Sequence, residues 1–195
     1  MPLKQHQHLK LYKPFGMLSQ LSSNEERQMR KKRFLSELYD FPEGTMPVGR
    51  LDEKSEGLLL MTTDGKLSDT INRSGIEKEY YAQLDGEITI EALKAMGKGV
   101  EIGLWGKRYT TKPCKVIKLL EAPTLPEPDK KLRIGTHRPN SWISITLTEG
   151  KFRQVRKMTA AVGYPTLRLV RVRIGKMLLD DATVGQVTPI SHIDL

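Results

Sequence analysis

Apolar and polar positions change period several times along the chain, and each change marks a predicted element. Ile143, Ile145 and Leu147 alternate with Trp142, Ser144 and Thr146, the two-residue period of a strand. Arg168, Val170, Val172 and Ile174 alternate with Leu167, Leu169, Arg171 and Arg173, predicting a second strand over 166–174. The unbroken apolar run at 57–62 reads as a short buried strand. Further strands are predicted over 79–84, ended by Asp85-Gly86, over 114–121, and around the turn signal KPFG within 8–21.

Helical spacing occupies other stretches. A helix is expected from Phe152 or Arg153 to Val162, stopped by Gly163 and Pro165. Thr89 would cap a helix running through Met96, and Asp64-Gly65 would lead into one over 66–73. Ser22 and Ser23, each followed three residues later by Glu, have a capping-box pattern. They predict a helix over 24–38 that ends before Pro42 and Gly44. Residues 49–56 read as a loop, and 122–140, with four prolines, as an inserted connection. Strands and helices without steady βαβ alternation indicate an α+β fold.

Charge sharpens this picture. The chain of 195 residues carries a net charge of +9. From Lys130 to Lys176 there are 12 Lys and Arg and one acid, Glu149, whereas the other 148 residues are slightly acidic. The excess therefore sits in one stretch, and a polyanion such as nucleic acid is the expected partner. A lone Cys114 excludes a disulfide framework and fits a reducing, cytoplasmic setting. Apolar runs fall well short of the roughly 20 residues that cross a bilayer, so no membrane association is expected. GxxxxGK[ST] and GxGxxG are absent from the sequence, so no nucleotide cofactor is expected. His6 and His8 in QHQH could grip a metal but read as part of an N-terminal tail, His137 and His192 have no Cys or carboxylate cluster beside them, and no metal site is expected.

Three segments could carry chemistry. In Gly49-Arg50-Leu51-Asp52, an aspartate precedes a buried strand, with glycines at 49 and 57 free to adopt tight backbone conformations. Asp52 there is a candidate nucleophile or base, or else a turn cap. In Glu149-Gly150-Lys151-Phe152-Arg153-Gln154-Val155-Arg156-Lys157, Arg153 shares a helix face with Arg156 or with Lys157. That face would hold phosphates or simply be solvated. In Lys78-Glu79-Tyr80-Tyr81, adjacent tyrosines point to opposite faces, so one of them could stack on a base.

Together these segments resemble the bacterial ribosomal pseudouridine synthases of the small-subunit and large-subunit type. The resemblance rests on KPFGMLS at 13–19, VGRLDEKSEGLLLMTTDG at 48–65, KEYYAQLDG at 78–86 and SWISITLTEGKFRQVRKMTAAVGYPTLRLVRVRIG at 141–175, in that order. It implies a pseudouridine synthase fold, a mixed and mainly antiparallel sheet in two halves with a basic active-site cleft. The chain is expected to be one catalytic domain, monomeric, without the S4-like N-terminal domain that relatives usually carry. The implied activity is isomerisation of a uridine in 23S ribosomal RNA with no cofactor. Asp52 would be catalytic, with Arg156 as its cationic partner and Tyr80 stacking on the target base. Leu169 would pack beneath the site, and Arg50 would fill the space left by the flipped uridine. Lys151, Arg153, Lys157 and Arg171 would bind RNA. Rival readings are an rRNA-binding or ribosome-assembly protein without catalysis, and the same reaction on small-subunit rRNA or tRNA.

Overall fold

Eleven strands, four α-helices and a single 3-10 turn at Leu35–Glu37 account for the regular structure of this computed structural model, which describes residues 5–135 and 138–195. His137 lies outside the described residues. In chain order the elements begin β1 (His8–Lys13), α1 (Glu26–Lys31), β2 (Met46–Val48), β3 (Glu56–Thr62) and α2 (Gly65–Arg73). There follow β4 (Lys78–Asp85), α3 (Ile90–Lys98), β5 (Glu101–Leu104), β6 (Lys107–Thr110), β7 (Lys115–Leu119) and β8 (Asn140–Leu147). The last are α4 (Gln154–Ala161), β9 (Thr166–Ile174), β10 (Met177–Leu178) and β11 (Val187–Ile190). The chain divides into two units: Met1–Ile76 with Arg171–Leu195, and Glu77–Val170. β9 gives its first five residues to the second unit and its last four to the first.

In the first unit β1 lies between β3 and β11, antiparallel to both, and β2 pairs antiparallel with β3. Every residue of β3 is buried, as the apolar run Leu58–Met61 at its centre requires of a strand covered on both faces. Leu9 and Leu11 of β1 and Leu59 and Met61 of β3 share a core with Met17 and Leu35. α2 begins where the Asp64 carboxylate accepts the amides of Lys66 and Leu67, each at 3.0 Å.

In the second unit β8 lies between β4 and β7, antiparallel to both, and β5 pairs with β6 as a hairpin. Ala82, Leu84, Ile143, Ile145 and Leu147 from the sheet pack with Ala92 and Met96 of α3 and with Val155 and Met158 of α4. Thr89 caps α3 through the Ala92 amide. The α+β class and the mainly antiparallel pairing agree with expectation.

Two expectations fail for tertiary reasons. The helix over 24–38 is only the six residues of α1, none of them buried. A six-residue helix with no apolar face has little to extend it. The chain instead turns extended at Lys32, forms a bridge from Arg33 to Met17, and buries Phe34 and Leu35. The capping signal also moved: Ser23 Oγ accepts the Glu25 amide, while the Glu37 carboxylate accepts the Phe34 amide at 2.9 Å. At the second site, α4 starts at Gln154, with Arg153 ahead of it in the left-handed region at φ 53°. Arg153 is therefore no part of a helical face shared with Arg156 or Lys157.

The insertion at 122–140 has internal anchors. Arg168 Nη2 donates to Pro126 O at 2.8 Å, Leu132 N to Asp129 O, and Gly86 N to Pro139 O. Arg168 is 4% exposed, so this cation is internal and does not add to the basic surface.

Candidate active site

Asp52 stands in the turn that leads into β3, and its carbonyl accepts the Ser55 amide at 3.0 Å. The residue before it, Leu51, is buried, and both of its backbone polar groups are taken by one side chain. Ser19 Oγ donates to Leu51 O at 2.8 Å and accepts the Leu51 amide at 3.0 Å. The residue after it, Glu53, offers its carbonyl to the Gly16 amide at 2.8 Å. The segment Lys13–Ser19 thus grips the Asp52 turn on both sides. Gly49, with φ 70°, lets the chain enter this turn; a Cβ there would lie 3.1 Å from Asn72 Oδ1.

Lys13 completes the grip. Its side chain is 0% exposed, and Nζ donates to Met17 O at 2.5 Å and Pro14 O at 2.8 Å, with Glu53 O at 3.4 Å. Burial pulls its pKa from 10.5 down to about 7, opposed by the carboxylates of Glu56, Glu53 and Asp52 and aided by the Arg171 guanidinium. Asp52 therefore has a buried amine within electrostatic reach inside its own unit. Glu56 is itself buried and accepts the Tyr12 hydroxyl at 3.3 Å. The sequence marked KPFG as a turn and KPFGMLS as a family motif, but gave Lys13 and Ser19 no individual role. A lysine directly before a proline, at the end of an apolar strand, was the available signal.

Arg50 is exposed. Arg171, expected to touch RNA, is 2% exposed and donates from Nε to Leu58 O on β3 at 2.8 Å. A guanidinium so enclosed tethers β9 to β3 and offers no surface to a phosphate. That expectation is corrected.

The remaining candidates are in the second unit. Tyr80 is half-buried on β4, opposite Ile145 of β8, and packs against the unit's core. Leu169 is part of that core. Arg156 projects from α4 and donates from Nη1 to Thr166 O at 3.2 Å, at the start of β9. Lys151 and Arg153 are exposed, and Lys157 is half-buried with Nζ donating to Gly103 O at 2.5 Å. Glu149, the one acid of the basic stretch, is turned inward. It accepts the Tyr109 hydroxyl at 2.5 Å, the Lys112 amide at 2.9 Å and Gln154 Nε2 at 2.7 Å. Burial disfavours its charge, but these hydrogen bonds and Lys151 outweigh that and lower its pKa. Cys114 is pushed up to about 11 by burial and by Glu149, which leaves an inert thiol. Among the described residues no group of three or more His, Cys, Asp or Glu could hold a metal ion, and no helix is long and apolar enough to cross a membrane.

Residues 7–161 match the RNA pseudouridylate synthase family. The chain belongs to that family. It is accordingly an isomerase that acts on RNA. A ribosomal large subunit pseudouridine synthase E from Xanthomonas campestris pv. campestris is 42% identical over 178 residues, spanning 90% of this chain and 91% of that protein. One of the same name from Vibrio parahaemolyticus is 38% identical over 178 residues, spanning 89% of this chain and 69% of the other. Among solved structures, a crystal structure of a pseudouridylate synthase superposes with a TM-score of 0.76 at 26% identity, covering 97% of this chain and 72% of that one. The pseudouridine synthase fold expected from the motifs is the fold found.

Proposed function

We propose that this family member converts a uridine of large-subunit (23S) ribosomal RNA to pseudouridine, with Asp52 as the catalytic residue. The observation that carries the assignment of Asp52 is the fastening of its turn, by Ser19 to Leu51 and by Gly16 and Lys13 to Glu53. A turn tied at the positions on either side holds one carboxylate in one place, which a reaction at a single sugar carbon needs. The target follows from the two relatives named for the large ribosomal subunit.

The reaction is balanced without an external reagent. The N1–C1′ bond breaks, the uracil turns, and a C5–C1′ bond forms; C5 gives up a proton and N1 gains one. No electrons enter or leave, so no redox cofactor is called for. Asp52 serves either by attack on C1′ or by assisting a glycal route. Arg156 brings positive charge to the reacting RNA and Tyr80 a ring for the displaced base, with Leu169 in the core behind Tyr80, and Arg50 takes the place the uridine vacates. Lys151, Arg153 and Lys157 hold phosphates, whose neutralisation supplies much of RNA affinity. Turning a base out of structured RNA costs a few kcal/mol, which such contacts offset. The protein works as a cytoplasmic monomer.

The test is a pseudouridine map of ribosomal RNA from a strain lacking the gene, complemented with wild type or with Asp52→Asn. Wild type restores one large-subunit site and Asp52→Asn does not. A map unchanged by the deletion overturns the target, and restoration by Asp52→Asn overturns the role of Asp52.

A further inference from the structure

The most exposed aromatic side chain among the described residues is Trp105, at the tip of the β5–β6 hairpin and 81% exposed. Trp105 and Gly106 form its two-residue turn with φ 51° and 78°. Both positive angles are those of a type I′ turn, a position suited to Asn, Asp or Gly and costly for an indole. Phe152, 50% exposed, stacks on Trp105 with ring centroids 4.9 Å apart and planes 28° from parallel. The next residue, Arg153, is also in the left-handed region, so of the three such non-glycine residues described one carries the exposed indole and another directly follows its stacking partner.

Cations lie close to this aromatic pair. Lys157 Nζ lies 5.2 Å from the Phe152 centroid and is held by Gly103 O; Lys151 Nζ lies 4.9 Å from the Tyr109 centroid. Lys107, Arg108 and Arg153, one to three residues along the chain from the two rings, are exposed. Of the nearby acids, Glu101 pairs with Arg108 at 3.3 Å and Glu149 is taken up by Tyr109, Lys112 and Gln154. An open aromatic face within a positive rim is complementary to a planar ring carried on a polyanion.

We propose that Trp105, backed by Phe152, is a stacking platform for an unpaired base of the RNA substrate, with Lys151, Arg153 and Lys157 on the adjoining phosphates. This rests on the chain acting on RNA, and it adds Trp105, which lies outside every motif that carries the family resemblance.

The experiment uses the full chain with transcribed 23S rRNA and a twelve-residue oligouridylate. Trp142→Phe leaves Trp105 as the single tryptophan. Its emission is expected to be quenched, with saturation, by the oligonucleotide. Trp105→Ala is expected to weaken transcript binding roughly tenfold, within the range of one base–aromatic stack, and Trp105→Phe to recover most of it. Emission unmoved by saturating RNA, or Trp105→Ala binding within twofold of wild type, overturns the platform while leaving the enzyme's function intact. A wild-type chain that binds neither RNA overturns both. Self-association lost in Trp105→Ala, with RNA binding kept, assigns the patch to a second copy and overturns the proposal.

Discussion

The hydroxyl of Ser19 reaches both the carbonyl and the amide of Leu51, at 2.8 and 3.0 Å, and so fixes the residue immediately before Asp52. Ser19→Ala leaves two buried backbone groups unpaired. A loss of about 1–3 kcal/mol in unfolding free energy is expected, measurable by chemical denaturation. Turnover should fall with it, because the Asp52 turn loses one of its two fastenings. Activity unaffected by the substitution would show that the carboxylate is positioned by something else.

Lys13 gives the fold a pH dependence whose sign can be worked out. Its pKa is 10.5 in the unfolded chain and about 7 when folded, so between these values the unfolded state holds the extra proton. Stability therefore rises with pH from about 7 toward about 10.5, by at most about 1.4 kcal/mol per pH unit from this group. Below about 7 the penalty for burying the charge is fully present. Denaturation of Lys13→Met beside wild type at pH 7 and pH 9 is expected to show a flatter pH profile in the variant.

Arg153 and Arg171 separate surface charge from internal charge. Arg153→Ala is expected to weaken RNA binding and to reduce the slope of affinity against salt by about one. Arg171→Ala is expected to keep the wild-type slope and instead lower stability by about 2–3 kcal/mol, since Arg171 is buried and bonded to Leu58 O. Filter binding across a salt series, with thermal melts alongside, distinguishes the two.

Arg168 holds the inserted segment through Pro126 O. Arg168→Met, which keeps bulk but loses the donor, is expected to speed proteolysis within residues 122–135 severalfold. Cleavage at the wild-type rate would mean that other anchors, such as Gly86 N to Pro139 O, suffice.

Legibility in the sequence followed how locally each feature is determined. β9, β4 and α3 were predicted nearly to the residue, because alternation or a capping threonine next to its helix encodes them within a few positions. The β5–β6 hairpin was not, since its turn uses Trp105-Gly106 in place of the usual Asn-Gly, and its strands are four residues each. Nor were β10 and β11: β10 is a two-residue arm folded back on the end of β9, too short for any period to show, and the four residues of β11 pair with β1 at the other end of the chain. The helix over 24–38 failed because Phe34 and Leu35 gained more from burial than a short polar helix gains from its own hydrogen bonds.

By itself the sequence determined the family, the α+β class, the candidate Asp52 and the confinement of excess charge to 130–176, because motif spacing, hydropathy period and charge counts are properties of the linear chain. Tertiary structure alone decided which cations are free to meet RNA. Arg153 and Arg171 are alike in composition, but one is on the surface and the other is 2% exposed and bonded to Leu58 O of β3. It also decided what holds Asp52, for Ser19 and Leu51 are 32 positions apart and meet only when the chain folds. Hydrogen bonds and burial depend on distance in space, and no periodicity along the chain encodes that distance.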